Sequence, residues 1–315
     1  MATQGMRLGR PGLTVPVNPP ANEVDEVDLV PVQTYWQLVR RRFMQNRLAV
    51  IALVLMAILI ISSIVFPIIG GDAWFKTSLT NSSKDPVSLK APLGYDNIGI
   101  NIFYRLMRAL QTSLSIGFFA VLIIAGIGTF VGSIAGYAGG RIDNLLMRFV
   151  DIVLSLPGFF LVLMFVAFLG SGSALVIIFA IGLTGWTTAA RLVRAEFLRL
   201  RESDFVQAAK ALGASDRRII VRHMIPSALA PVVVASTLGI ADSVVTEAAL
   251  SFLGFGLRPP EASLGNMLTN AQDYFYRQPL WIYYPGVTLI LVVLAASFLG
   301  DGLRDALDPR QRIEA

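Results

Sequence analysis

Few side chains in this sequence could do chemistry. It holds one histidine and no cysteine, which excludes disulfides and thiolate metal sites. His223, without a Cys or His partner, reads as a satisfied loop residue and not as a metal ligand. No GxxxxGK[ST] phosphate loop and no nucleophile elbow occur, so the chain should not hydrolyse ATP and should bind no cofactor. Two carboxylates, Asp242 and Glu247, follow a long apolar run. Ionisable groups near a membrane interior are costly and often functional, which makes this pair a candidate lining of a solute path. The competing reading is a hydrated, capped helix end. What remains is a charged, patterned stretch, FVQAAKALGASDRRIIVRHMIP at 205 to 226, set between uncharged apolar runs.

Those apolar runs fix the setting. Of 315 residues, 55% are hydrophobic and 15% charged, with a mean hydropathy of +0.65, outside the range of soluble domains. A hydrocarbon core of about 30 Å takes about 20 helical residues. Charge-free windows of that size lie at 48 to 71, 109 to 140, 152 to 190, 224 to 241 and 278 to 300. The third is too long for one span and divides at GSGS (170 to 173), where glycines favour a reversal. The expectation is an all-α, polytopic membrane bundle of six transmembrane helices. A barrel is excluded, because the runs lack the alternation of its strands.

Basic residues accumulate on the cytoplasmic side of membrane proteins. With six spans, the segments 1 to 47, 141 to 151, 191 to 223 and the tail from 301 hold 19 of the 26 Lys and Arg, which places both termini in the cytoplasm. Arg105 and Arg108 are the local exception, next to the second span. The net charge of +5 reflects this asymmetry and not nucleic-acid binding, since no basic groove with interleaved aromatics is present. The expected parts are a cytoplasmic tail with an amphipathic segment at 1 to 47, a first span at 48 to 71 and an outer loop at 72 to 108. A core at 109 to 303 carries five spans and the cytoplasmic loop 191 to 226, and a tail follows from 304 to 315. Residues 1 to 33, rich in proline and with Glu23, Asp25, Glu26 and Asp28 clustered, read as flexible; TYWQLVRRRFMQNR (34 to 47) reads as a surface helix or an ordinary basic flank.

Within the patterned loop, Ser203 or Asp204 can cap a short helix that Gly213 ends in the left-handed conformation. Phe205, Ala208, Ala209 and Leu212 recur at i, i+3, i+4, i+7 and form one apolar stripe, which needs a protein or a bilayer surface to cover it. A second helix starts near Ser215 and Asp216 and runs into the fifth span, with Pro226 as a kink or reset.

At this point the chain resembles the integral permease subunits of binding-protein-dependent ABC importers. Their cytoplasmic signature is EAA, three residues, Gly, nine residues, then Ile-x-Leu-Pro. Gln207, Ala208, Ala209, Gly213, His223, Ile225 and Pro226 stand at the matching positions, with Gln207 in place of the glutamate and His223 in place of the isoleucine. The resemblance extends from residue 34 onward and is nearest to the second, C-type, permease of the dipeptide/oligopeptide/nickel branch. It rests on APLGYDNIG, TSLSIG, GYAGGRIDNLLMRFVDIVLSLP, EAALSFLGFGLRPPEASLGNML and GDGLRDALDPR in that order. Departures are Ile100 and Asn101, where Arg-Asp is usual, and Leu264, where tryptophan is usual.

The resemblance implies a type I ABC importer permease in a bacterial or archaeal cytoplasmic membrane. Its partners would be a homologous sister permease, two ATPase subunits that use ATP and Mg, and an extracytoplasmic binding protein delivering di- or oligopeptides. Nickel chelates or oligosaccharides are the alternative cargo. Coupling to the ATPase would fall to Phe205, Gln207, Ala208, Ala209, Leu212, Gly213, Ile225 and Pro226. The literal EAA of EAALSFLG (247 to 254) has the wrong glycine spacing and lies outside, so it is not assigned to that contact. The rival class is an ion-gradient-driven secondary transporter, which needs charges at the midplane, whereas the charges here fall at or beyond span ends. Gly128, Gly132 and Gly136, one turn apart, should give a face for close helix packing. Because the chain is cysteine-free, one cysteine placed at Ser215 tests the orientation. An impermeant thiol reagent applied to intact cells should leave it unlabelled, and labelling from outside contradicts the six-span arrangement.

Overall fold

The computed structural model describes residues 34 to 81 and 91 to 308, so the acidic cluster at Glu23 to Asp28 and the end of the C-terminal tail lie outside the described residues. The chain begins with α1 (Tyr35–Gln45), and Asn46 then starts α2 (Arg47–Gly70) by accepting the Ala49 amide at 3.2 Å. Helix α2 is apolar all round and about 36 Å long. Ile51, Ile58, Ile61 and Ile68 along it are each more than half exposed, as a lipid-facing surface requires. Helix α1 docks on the far end of the chain, where Arg42 donates to the Asp308 carbonyl at 2.7 Å and Asn46 to Asp305 at 3.4 Å.

Helix α3 (Ile102–Ala138) is about 55 Å long and begins a full two turns before residue 109, because Asn101 caps it by accepting the Phe103 and Tyr104 amides. Arg105 and Arg108 therefore ride on the overhang of a long helix. Arg105 pairs with Asp96 at 2.7 Å, and Asp96 also accepts the Ile98 and Ile100 amides, so the loop before α3 is rigidly folded. Asn101 keeps the capping role an aspartate would have, and Ile100 is buried.

Gly139 and Gly140, both at positive φ, turn the chain into α4 (Gly140–Leu154). The third apolar window is not straight: α4 and α5 (Gly158–Leu169) meet at 82°, since Pro157 lacks an amide donor and disfavours helix at the residue before it. Two ion pairs tie α4 to α6 (Ala174–Arg201): Asp143 with Arg194, in a two-pronged contact of 2.5 and 2.6 Å, and Asp151 with Arg191 at 2.5 Å. The reversal expected at 170 to 173 is present, with Gly170 and Gly172 at positive φ. After α7 (Asp204–Ala211) and α8 (Asp216–Ile219) come α9 (Ile225–Phe252), α10 (Leu264–Gln272) and α11 (Leu280–Leu307). Five helices, α2, α3, α6, α9 and α11, are long and apolar enough to cross a membrane, and the bent α4–α5 pair meets the same requirement when its two helices are taken together, in keeping with six spans.

One expectation needs correction. Helix α9 does not stop at residue 241 but continues until Gly254 (φ +85) closes it, so Asp242 and Glu247 lie within a spanning helix and not beyond its end. A carboxylate does not break a helix; a left-handed glycine ends one.

The bundle is centred on the contact between α3 and α6, where Gly128, Gly132 and Gly136 face Ala189, Ala190 and Phe197. A methyl group on Gly132 would come within 2.5 Å of the Ala190 carbonyl oxygen, and one on Gly136 within 2.5 Å of Phe197 Cβ. Gly126, on the same helix, has open space around it. Gly132→Val should therefore destabilise the folded chain by about 1 to 3 kcal/mol, while Gly126→Ala leaves it unchanged or slightly more stable. Thermal unfolding of the detergent-purified variants checks this, and equal behaviour of the two would mean the glycine face is not a packing constraint.

Candidate functional site

The patterned loop forms an elbow. Helix α6 ends at Arg201, leaving carbonyls without partners inside the helix. Ser203 donates to the Leu200 carbonyl at 2.5 Å, and the Gln207 side-chain amide donates to the Arg201 carbonyl at 3.0 Å. A glutamate at 207 has no proton to give when ionised, so the glutamine does here what the signature residue could not. Neither Ser203 nor Asp204 caps α7 through its side chain; Ser203 is the cap residue by backbone conformation alone. At the other end, Gly213 takes φ +77, its amide bonds Lys210 O at 2.9 Å, and the Ala214 amide reaches back to Ala209 O at 3.0 Å. That double bond pattern closes a helix onto a left-handed residue. The chain re-enters α9 through a π-helical turn, Ile220–Met224, with the Ile225 amide bonded to Ile220 O. Pro226 explains it: lacking a donor and crowding the carbonyl four residues back, it favours the wider turn.

The elbow has an inside and an outside. Val206, Ile219 and Met224 are fully buried and pack with Phe197 and Leu200 of α6 and Ala228 and Val232 of α9. Tyr137, near the end of α3, donates to Asp216 at 2.6 Å, and Lys210 lies over its ring at 5.5 Å. On the outside, Leu212 is 87% exposed, with Phe205 and Ala208 beside it. Ala209, expected on the same stripe, is half-buried and leans into the core beneath. The sequence reading missed Val206, although its i+3 spacing to Ala209 marks a second face of the same short helix. Gln207 and Pro226 are exposed, while Ile225 and His223 are half-buried.

A cavity of about 400 Å³ lies among α3, α5, α6 and α9. It is walled by apolar side chains such as Phe159 and by hydroxyls, among them Thr184, Thr188 and Ser236. Asp242 is its one charged lining residue among the described residues.

Glu247 does not reach this cavity. It is fully buried, accepting from Ser113 of α3 at 2.8 Å and from Ser251 at 2.7 Å. Ser113 also accepts the Leu264 amide at 3.1 Å, and Ser263 accepts the Asn266 amide at 3.2 Å at the start of α10. Gly265 presses on Ala248 so closely that a methyl group there would come within 2.6 Å of its Cα. The carboxylate thus knots α3, α9 and α10 together; it is neither a hydrated helix end nor a wall of the cavity. Ser113, Ser251 and Ser263 went unsingled in the sequence, although each sits inside one of the ordered motifs.

A spanning helical bundle with a protruding elbow and a mostly apolar cavity carrying a few hydroxyls and one carboxylate is the architecture of a membrane transport subunit. Residues 128 to 313 match the model of the binding-protein-dependent transport system inner membrane component, and residues 34 to 92 match the N-terminal transmembrane domain of oligopeptide transport permease C. The chain belongs to the binding-protein-dependent transport system inner membrane component family. It is 36% identical to a dipeptide transport system permease protein of Alkalihalophilus pseudofirmus, covering 94% of this chain and 97% of that one. It is 34% identical to an oligopeptide transport system permease protein of Bacillus subtilis, over 88% and 90% of the two chains. It is 40% identical to a glutathione transport system permease protein of Escherichia coli, over 89% and 92%. The fold matches a chain of the MetNI methionine ABC transporter in inward-facing form, with a TM-score of 0.52, 21% identity and coverage of 64% and 95%. Family membership answers the gradient-driven rival, which the corrected position of Asp242 and Glu247 would otherwise have revived.

The knot makes a sharp expectation. Glu247→Ala leaves two buried serine hydroxyls without their acceptor and should cost at least about 2 kcal/mol, whereas Glu247→Gln keeps one acceptor oxygen and the volume and should cost less. Thermal unfolding of the two variants in detergent, ranked against wild type, is the check.

Proposed function

We propose that this chain pairs with a homologous sister permease to form the translocation path of an ATP-driven importer for di- or oligopeptides. An extracytoplasmic binding protein delivers the cargo, and two separate ATPase subunits, which use ATP and Mg, drive the cycle. The elbow end faces the cytoplasm together with both termini, as the partition of basic residues supports. Helices α1 and α2 form an N-terminal module, and the helices from α3 onward form the core that lines the path. The peptide cargo is supported by the names of the dipeptide, oligopeptide and glutathione permeases above; nickel chelates or oligosaccharides are the alternative for the same machinery.

The observation that carries this reading is the outward face of Phe205, Ala208 and Leu212 on an elbow whose other face is a fully buried core. Exposed apolar side chains on a rigid projection suit a groove in a partner protein. Gln207 and Gly213 hold the elbow's shape, and Ile225 and Pro226 set its junction with α9. Because its core is shared with α6 and α9, and both of those helices wall the cavity, displacement of the elbow moves two sides of the path at once. ATP can drive such a change only by binding one state of the assembly better than the other.

Leu212→Asp should lose the ATPase on co-purification at equal membrane abundance of the permease, and uptake should fall to background. Burial of a leucine is worth about 1.5 to 3 kcal/mol, and an aspartate adds an unpaired charge in a closed interface. Gly213→Val, which resists the left-handed conformation, should act alike. Retention of the ATPase and normal uptake by both variants would show that the elbow is not the coupling element. The purified chain alone should show no ATP hydrolysis.

A further inference from the structure

Helix α9 presents to the cavity one face that includes Val232, Ser236, Gly239, Asp242, Ser243 and Thr246. Facing it on α6 are Thr184 and Thr188. The hydroxyl of Thr184 donates to Ala180 O at 2.8 Å and that of Thr246 to Asp242 O at 2.7 Å. Both protons are spent on their own helices, so these threonines offer the cavity only lone pairs. Asp242 makes no ion pair with any described residue, and its side chain is exposed. A wall with one anion and no cation among its described residues has a sign: it welcomes N–H donors and positive charge, and it repels carboxylates and phosphates.

We propose that Asp242 is a charge filter in the solute path, selecting solutes with an exposed ammonium group, such as the free amino terminus of a peptide, over solutes presenting negative charge. This rests on the cavity being part of the path. A carboxylate inside a spanning helix is costly to keep. Its position in a cavity with no cation among the described lining residues gives that cost a use, because the incoming ammonium is itself the missing counter-ion. Selectivity of this kind acts after the binding protein has released its cargo, so it discriminates among solutes of equal size.

The test exploits the absence of native cysteine. A cysteine placed at Ser236, about 9 Å along α9 from Asp242 at 1.5 Å per residue, is introduced into the full importer reconstituted with its partner subunits. It is then modified by a cationic (trimethylammonioethyl) or an anionic (sulfonatoethyl) methanethiosulfonate of similar size. The cation-to-anion rate ratio, normalised to a free thiol in the same buffer, should be at least about tenfold above unity. Asp242→Asn should collapse it to near unity, and Asp242→Glu should preserve it. Uptake of peptides with free amino termini relative to their N-acetylated forms should fall in step in Asp242→Asn. A ratio already near unity in the wild-type assembly would overturn the filter, as it would if a basic residue of the sister permease neutralised Asp242. An elevated, Asp242-dependent ratio without uptake of any peptide would sink the peptide reading and leave the filter standing.

Discussion

The architecture hangs on how closely α3 and α6 approach. In lipid no water is squeezed out between helices, so adhesion must come from contact between backbones and small side chains. Gly128, Gly132 and Gly136 allow that contact, and Ala189, Ala190 and Phe197 fill it. The complementary approach comes from Gly182 and Gly185 of α6, against Ile123 and Ile124 of α3. With the pair fixed over several turns, the remaining elements take their places. Helix α5 closes one side of the cavity, α9 the other, and the end of α3 reaches the elbow through Tyr137.

A second constraint operates at the opposite end of the bundle. Here three helices meet around Glu247, and the serines of its cluster come from LSFLG one turn along its own helix, from ASLG just beyond it, and from the distant TSLS of α3. Such a knot depends on complete satisfaction, since any unpaired member in a dry environment costs about as much as the bonds gain. Helix α10, too short to span and bracketed by loops, owes its position to this cluster and to the tight seat of Gly265.

Much of this was legible in the residue order, for reasons that differ from place to place. The spans were readable because lipid leaves no alternative to long apolar helices, and the reversal at Gly170 and Gly172 because glycine is needed for positive φ. The end of α7 at Gly213 was readable for the same cause. What escaped were features decided by partners distant in sequence. Asp242 and Glu247 looked like the end of a span because charge is costly in lipid, yet one faces a cavity and the other a cage of serines, so the helix runs on. The 82° break between α4 and α5 was marked by Pro157 but masked by the unbroken apolar composition around it. Val206 was overshadowed by its outward neighbours, since one short helix carries two apolar faces with opposite duties.

The attachment of α4 has a mechanical consequence. Its ties to α6 are charged, a two-pronged pair of Asp143 with Arg194 and a single contact of Asp151 with Arg191, whereas its link to α5 is a proline corner. Helix α6 therefore braces both limbs of the bent pair, α4 through ion pairs and α5 through the apolar packing of Val162 and Val166 with Ile177 and Ile181, so that the corner at Pro157 rests on a common backing.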